Sequence, residues 1–130
     1  MKTAKGTILH NNWDEKPYHE AAPLKSSEAK IDIVMHGAIE ATGPGRYLMQ
    51  YPTTETCHYA GYLVMDGTLD GKSGQFIIYE VGDWTNGVAA SKWQIVESSG
   101  TGELKGITGQ GSYAAEHDKT VRYELSYELK

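Results

Sequence analysis

The segment 121–130 alternates apolar and polar residues without a break. Its two sets are Val121, Tyr123, Leu125, Tyr127 and Leu129, and Arg122, Glu124, Ser126, Glu128 and Lys130. A period of two places successive side chains on opposite faces of a β-strand, so one face is buried and the other is wet. Residues 28–37 repeat the pattern, with Ile31 and Ile33 on one side and Lys30 and Asp32 on the other. A chain with such strands must bury one face of a sheet.

Further strand-like segments are rich in β-branched or aromatic residues: 6–13, 46–51, 57–65, 74–84 and 87–97. Turn signals separate them at 42–45, 66–74 and 85–87, where Asn-Gly favours a tight hairpin. With segment 98–113 the count is about eight strands at the spacing of a sandwich or barrel. We predict one all-β domain over 1–130, with 15–27 as an irregular or short helical link.

Composition excludes several classes of function. The net charge is −5 with no run of Lys or Arg, so nucleic acid is not expected as a partner. No stretch approaches the ~20 apolar residues of a membrane helix. Cys57 is the single cysteine and the N-terminal residues lack an apolar signal core, which predicts a cytoplasmic protein. The histidines show no ligand spacing, so we expect no metal and no cofactor.

Segment 98–113 contains five glycines. A dinucleotide-binding loop requires Gly-x-Gly-x-x-Gly before a helix, and both the spacing and the following residues differ here. Glycines inside strands mark bulges, corners and close approaches instead, so we predict a bent strand. Leu104 and Ile107 fall on opposite faces by parity, and a bulge near Gly106 is needed if both are buried.

Several motifs resemble a known family. They are "SSGTGELKGITGQG", "WDEKPY", "YLMQY", "GTLDGKSGQF" and "YELSYEL". Together they are similar to the bacterial family called domain of unknown function 3224, which is placed with the allene oxide cyclase and dirigent barrels. The resemblance implies an eight-stranded antiparallel β-barrel and no established activity. Acidic residues are frequent in that family at the positions of Arg46 and Leu63, so a shared acidic site does not carry over.

An eight-stranded barrel either fills its interior with side chains or holds one small ligand. We take Arg46, Tyr47, Met49, Tyr59 and Trp93 as candidate ligand-binding residues for a small, partly apolar molecule. The alternative is that the aromatic residues only pack the core.

Glu80 and Glu40 are the candidate catalytic residues. Glu80 shares a face with Phe76 and Ile78, and an inward carboxyl would have a raised pKa, as a general acid or base requires. Arg46 beside it would make a buried ion pair or an anchor for a ligand carboxylate. His10 and His117 are expected at surface turns.

Two strands are apolar on both faces, which suggests a covered exterior. We expect a homo-oligomer through the outer faces of Gly61–Met65 and Gln75–Val81. Segment 15–27 folded over them would instead give a monomer. Three functions remain open: a ligand-binding barrel, a cyclase or isomerase using Glu80 or Glu40 with Tyr47 or Tyr59, and a structural barrel with a solid core.

Overall fold

The computed structural model describes residues 1–116 and 120–129, with the side chain of Glu116 left aside. It contains eight β-strands: β1 (Lys2–Ala21), β2 (Leu24–Gly37), β3 (Ile39–Thr53), β4 (Thr56–Leu69), β5 (Lys72–Thr85), β6 (Val88–Ile95), β7 (Thr108–Glu116) and β8 (Val121–Glu128). A 3₁₀ turn over Gly102–Leu104 lies between β6 and β7. None of the helices in the described part of the chain has the length and apolar character to cross a membrane.

The strands form one antiparallel sheet that closes on itself. Each strand pairs with the next in sequence, and β1 pairs with β8 from Lys2 opposite Tyr127 to Ile8 opposite Val121, so the hydrogen bonding forms a closed ring of strands. The prediction of eight antiparallel strands is confirmed. Closure removes the open sheet edges along the paired lengths, which would otherwise template association with other chains.

The alternating patterns point their apolar sets inward. Ile31, Ile33 and Met35 on β2 are buried, as are Tyr123 and Leu125 on β8. Their polar neighbours in sequence lie exposed on the outer face of the sheet. Hydrophobic burial therefore determines which face of each strand points inward, as the period of two predicts.

One end of the closed sheet, called here the closed end, is covered by the connection 96–107. Leu104 and Ile107 are 0% and 1% exposed and complete the core. Gln75 on β5 lies beyond the last residue paired with β6, and it exchanges backbone and side-chain hydrogen bonds with Thr101 instead. The connection thus packs as a plug and extends the sheet locally.

The predicted bent strand over 98–113 is only partly right. Residues 98–107 form the plug, and β7 begins at Thr108. Leu104 and Ile107 both face inward because the chain turns, with Gly106 at φ +85°, rather than through a bulge in a ladder. A left-handed backbone conformation is available to glycine without a Cβ penalty.

Three other boundaries were wrong. The turn predicted at 66–74 is only residues 70–71, since the rest of it belongs to β4 and β5. Residues 15–21 and 24–27 belong to strands of the long β1–β2 hairpin, where Glu15 pairs with Ala29. Residues 42–45 lie inside β3 and not in a turn. A Cβ on Gly43 would lie 1.7 Å from the Val64 carbonyl oxygen. That glycine permits close approach of β4. The hairpin predicted at Asn86–Gly87 is confirmed, with both residues at positive φ.

Candidate functional site

The carboxyl group of Glu80 lies inside the closed sheet on β5. It follows Phe76 and Ile78 on the inward face, and none of the three side chains is exposed to solvent. The inward orientation considered for Glu80 is therefore the one in the structure. Burying a carboxyl group is costly unless hydrogen bonds compensate it, so its partners decide what it can do.

Four side chains donate hydrogen bonds to the Glu80 carboxylate. Tyr47 Oη and Trp93 Nε1 are each 2.9 Å from Oε1, while Ser91 Oγ and Tyr113 Oη are 2.8 and 2.7 Å from Oε2. These donors come from β3, β6 and β7, so the cluster ties three strands to β5. Each carboxylate oxygen accepts two bonds, which accounts for its usual acceptor capacity.

A fifth group joins this cluster through Ser91. The hydroxyl groups of Tyr59 and Ser91 are 2.5 Å apart. Because the Ser91 proton is directed to Glu80, Tyr59 donates to the Ser91 oxygen. No buried side-chain nitrogen or oxygen in the described part of the chain lacks a hydrogen-bond partner. We call Glu80, Tyr47, Tyr59, Ser91, Trp93 and Tyr113 the carboxylate cluster.

Burial dominates the titration of this cluster. Desolvation raises the pKa of Glu80 above its ordinary value, and the hydrogen bonds from Tyr113, Ser91, Trp93 and Tyr47 counteract it only in part. Desolvation and the neighbouring Glu80 also raise the pKa of Tyr47 well above that of a free phenol. The phenols therefore remain neutral donors, and their protons point at the carboxylate.

A cavity of about 430 Å³ opens at the other end of the sheet, above the carboxylate cluster. Six aromatic side chains line it: Trp13, Tyr47, Tyr51, Tyr59, Trp84 and Tyr113. His10, Met49 and Cys57 also contribute to its wall. We call it the aromatic cavity. Tyr47 and Tyr113 reach Glu80 through their hydroxyl groups while their rings face the cavity, so they separate the buried carboxylate from the open space.

A second carboxylate, that of Glu15, accepts hydrogen bonds from residues at the rim of the aromatic cavity. Glu15 accepts hydrogen bonds from the indole of Trp13 at 3.0 Å and from the hydroxyl groups of Ser27 and Tyr51 at 2.5 Å. Burial raises the pKa of Glu15, but these three bonds and the charge of Lys25 outweigh it and leave the pKa below its ordinary value. Glu15 is thus an anion under neutral conditions.

His10 does not lie at a surface turn, contrary to the sequence prediction. It is on β1, pairs with Ile33 in the backbone register, and its ring centroid is 5.9 Å from that of Tyr113. Burial lowers the pKa of His10 to about 4, so the imidazole is neutral at pH 7. It offers the aromatic cavity one hydrogen-bonding group without a charge. His117 lies outside the described residues.

The predicted site residues divide between the two faces of the sheet. Tyr47, Met49 and Tyr59 line the aromatic cavity, and Trp93 lies behind it as a donor to Glu80. Arg46 does not join them: its side chain is on the exposed outer face and donates to the Gly45 carbonyl at 2.8 Å. The proposed ion pair of Arg46 with Glu80 is therefore absent.

Glu40 also lies outside the interior. It is exposed near the β2–β3 turn, where the backbone N–H of Gly37 donates to its carboxylate at 2.8 Å and His36 lies 3.2 Å away. These two contacts lower the pKa of Glu40. A carboxylate in this position stabilises a turn, and no substrate inside the sheet reaches it.

Sequence reasoning missed the contribution of β1 to the site. Trp13 was predicted at the end of the strand-like segment 6–13 and Glu15 in the link 15–27, and neither was predicted as a site residue. Both lie on β1, and Trp13 is stacked on Tyr47 at a centroid distance of 6.1 Å. Polar residues on both faces concealed the second half of this strand, because it lacks the alternation of a half-buried strand. A register shift between Asn11 and Asp14, with Asn12 at φ +55°, turns Trp13 over the cavity.

Other surfaces have less defined chemistry. A hollow of about 1130 Å³ is lined in part by exposed charged residues of both signs, among them Lys5, Lys92, Arg122 and Glu124. Within the described residues, no three His, Cys, Asp or Glu side chains converge to hold a metal ion. The aromatic cavity with its buried carboxylate is the more specific arrangement, because its polar groups converge on one apolar space.

These features define a class: a small, closed, eight-stranded antiparallel sheet with an aromatic cavity at one end of its interior. The family model for "Protein of unknown function (DUF3224)" matches residues 4–127. The chain belongs to that family.

A solved structure shows the same fold. It is a protein with unknown function from the DUF3224 family of Shewanella oneidensis MR-1, with a TM-score of 0.81 and 21% sequence identity over 100% of this chain and 98% of that chain. No curated protein matches the chain.

Proposed function

We propose that this protein binds a small, largely apolar molecule in the aromatic cavity. The observation that carries the proposal is an open volume of about 430 Å³ walled by six aromatic rings. Ligand sites in proteins are concave, mostly apolar spaces of roughly 300–1,000 Å³ with a few placed polar groups. The aromatic cavity has these properties, and a structural barrel with a solid core would have no such space.

The carboxylate cluster supports binding by rigidity. Tyr47, Tyr59 and Tyr113 are held by hydrogen bonds that lead to Glu80, so three walls of the cavity keep fixed ring positions. A preorganised wall loses little conformational entropy when a ligand enters. A buried carboxylate that fixes the wall residues Tyr47 and Tyr113 directly, and Tyr59 through Ser91, therefore fits a binding site.

Acid–base catalysis has less support. Glu80 already accepts four hydrogen bonds, and the phenols of Tyr47 and Tyr113 stand between it and the cavity. A general base must come within hydrogen-bond reach of the proton it removes. A cyclase or isomerase would need Glu80 to exchange one of these partners for substrate, so we favour binding without turnover.

Filling the cavity tests the proposal. Ala89 lines the aromatic cavity, whereas the next residue, Ala90, is exposed on the opposite face of β6. We expect 2-naphthol to bind the wild type in isothermal titration calorimetry. Ala89→Phe should weaken this binding tenfold or more, and the matched control Ala90→Phe should leave it within twofold. Equal affinities in all three proteins would place the binding elsewhere.

We also propose self-association through the outer faces of Gly61–Met65 and Gln75–Val81. Tyr62 and Val64 are 53% and 41% exposed, and Tyr62 packs on Tyr79 with ring centroids 5.2 Å apart. Segment 15–27 does not cover this face, because it belongs to the hairpin beside β3. Sedimentation should give a dimer or larger for the wild type and a monomer for Tyr62→Glu. A monomeric wild type would remove this proposal.

The wider kinship and the location are proposals as well. The order of eight antiparallel strands supports an allene oxide cyclase-like and dirigent-like class for this fold. The free, buried Cys57 is compatible with a reducing cytoplasm.

A further inference from the structure

The walls of the aromatic cavity are polarised by two carboxylates. Trp13 and Tyr51 donate their polar hydrogens to Glu15, and Tyr47 and Tyr113 donate theirs to Glu80. Tyr59 is connected to Glu80 through Ser91. Five of the six aromatic side chains thus direct the hydrogen of their N–H or O–H group away from the cavity. Four of these hydrogens point at a carboxylate, and that of Tyr59 points at Ser91, which donates to Glu80.

An aromatic ring carries negative charge density on its faces, which attracts cations. Hydrogen bonding to an anion increases the electron density of the donating phenol or indole ring. The carboxylates behind the rings add their own negative potential in an interior with a low effective dielectric constant. No Lys or Arg side chain is among the residues that line the cavity in the described part of the chain. The two ionisable groups that accept hydrogen bonds from the wall are therefore both acidic, which favours a positively charged ligand.

One cation already lies on the face of such an aromatic ring. The ammonium group of Lys25 lies 4.4 Å from the ring centroid of Tyr51, at the rim where Tyr51 donates to Glu15. Lys25 does not line the aromatic cavity itself. The face of Tyr51 is thus occupied by a positive charge that also interacts with the Glu15 carboxylate.

We propose that the aromatic cavity selects an organic cation over a neutral or anionic molecule of the same shape, and that the cation is a quaternary or fully N-methylated ammonium. The inference rests on the binding function proposed above. It follows from aromatic walls joined to Glu80 and Glu15 and from the absence of a lining Lys or Arg.

The degree of methylation follows from the hydrogen bonds. A primary ammonium would have to replace its water molecules with acceptors, but the phenols hide the carboxylate oxygens of Glu80 behind them. A quaternary ammonium has no N–H groups, so entering an aromatic space leaves no donor without a partner. Its methyl groups also bury apolar surface against Met49 and the rings.

Choline and its uncharged isostere 3,3-dimethylbutan-1-ol separate charge from shape. Both are titrated against wild-type protein by calorimetry and by displacement of 2-naphthol. We expect choline to bind at least tenfold more tightly than the alcohol. Glu80→Gln should reduce this ratio to threefold or less, while the affinity for 2-naphthol changes less than threefold. The exposed control Glu28→Gln should leave the ratio unchanged.

Because Glu80 is fully buried, Trp13→Phe at the rim provides an independent test that leaves the interior hydrogen bonds intact. Trp13 is 46% exposed, and phenylalanine keeps a ring but loses the N–H directed to Glu15. We expect choline affinity to fall two- to fivefold with little change for the alcohol. Equal binding of choline and the alcohol to the wild type would overturn the inference but preserve the binding function if 2-naphthol still binds. Failure of all three probes to bind would overturn both.

Discussion

The two ends of the closed sheet are built from the same strands but have opposite interiors. At the closed end, Leu104 and Ile107 of the connection 96–107 join Leu69 in the core, and all three are 0–1% exposed. At the open end, the interior holds a carboxylate, three phenols and a volume of about 430 Å³. The difference shows that the alternation of a strand decides what points inward but not whether the interior is filled.

The two ends are also stabilised by different interactions. The closed end depends on apolar surface removed from water, which is favourable and non-directional. The open end depends on hydrogen bonds that compensate a buried carboxylate, and these require particular donors at particular positions. A directional network can hold a cavity open, because its walls are supported from behind.

Truncating one apolar side chain at each end should have the largest effect and tests this contrast. Leu104→Ala leaves a cavity in a packed region, and we expect a loss of about 2–5 kcal/mol in unfolding free energy. Met49→Ala, beside space that is already open, should cost roughly 1–2 kcal/mol, since fewer contacts are lost. Urea denaturation measures both. Equal losses would mean that the aromatic cavity is closed in solution.

His10, at the open end, should make the free energy of unfolding depend on pH. Its folded pKa of about 4 is below the ordinary value of 6.5, so the unfolded chain binds a proton more readily between these values. Stability from this residue is present above pH 6.5 and is lost as the pH falls toward 4, by an amount of order 2–3 kcal/mol.

The measurement compares the wild type with His10→Gln, which cannot ionise, in denaturant titrations from pH 7.5 to 4. The wild type should lose stability relative to the variant as the pH falls. A constant difference between the two proteins would show that His10 is accessible to water in the folded state.

The smallest loss of stability is expected from substitutions in two hairpin turns, one at each end of the sheet. There the two ends should lose the same amount. Gly71 at the closed end and Gly87 at the open end both have φ +82°, and a Cβ on either would meet nothing within 4 Å. Substitution with alanine should therefore cost about 1 kcal/mol in each case from backbone strain alone. Unequal losses in thermal denaturation would indicate that one turn is held by contacts beyond its own conformation.

Part of the site was predictable from the alternation. Parity on β5 placed Glu80 with Phe76 and Ile78, and all three are fully buried. The same rule shows why Arg46 was a poor candidate, since it is adjacent to Tyr47 and must face the other way. Trp13 and Glu15 were not predictable, because the half of β1 that carries them shows no alternation and its role depends on a register shift.

The order of residues determined which face of each alternating strand is buried, since a period of two is a local property of extended backbone. The meeting of four donors at Glu80 was decided only by the register of strands β3 to β7, because Tyr47, Ser91, Trp93 and Tyr113 lie 33, 11, 13 and 33 residues away in sequence. The tertiary structure also decided which end received the plug and which kept its cavity. Both outcomes depend on the stagger of neighbouring strands, a non-local quantity that no single segment carries.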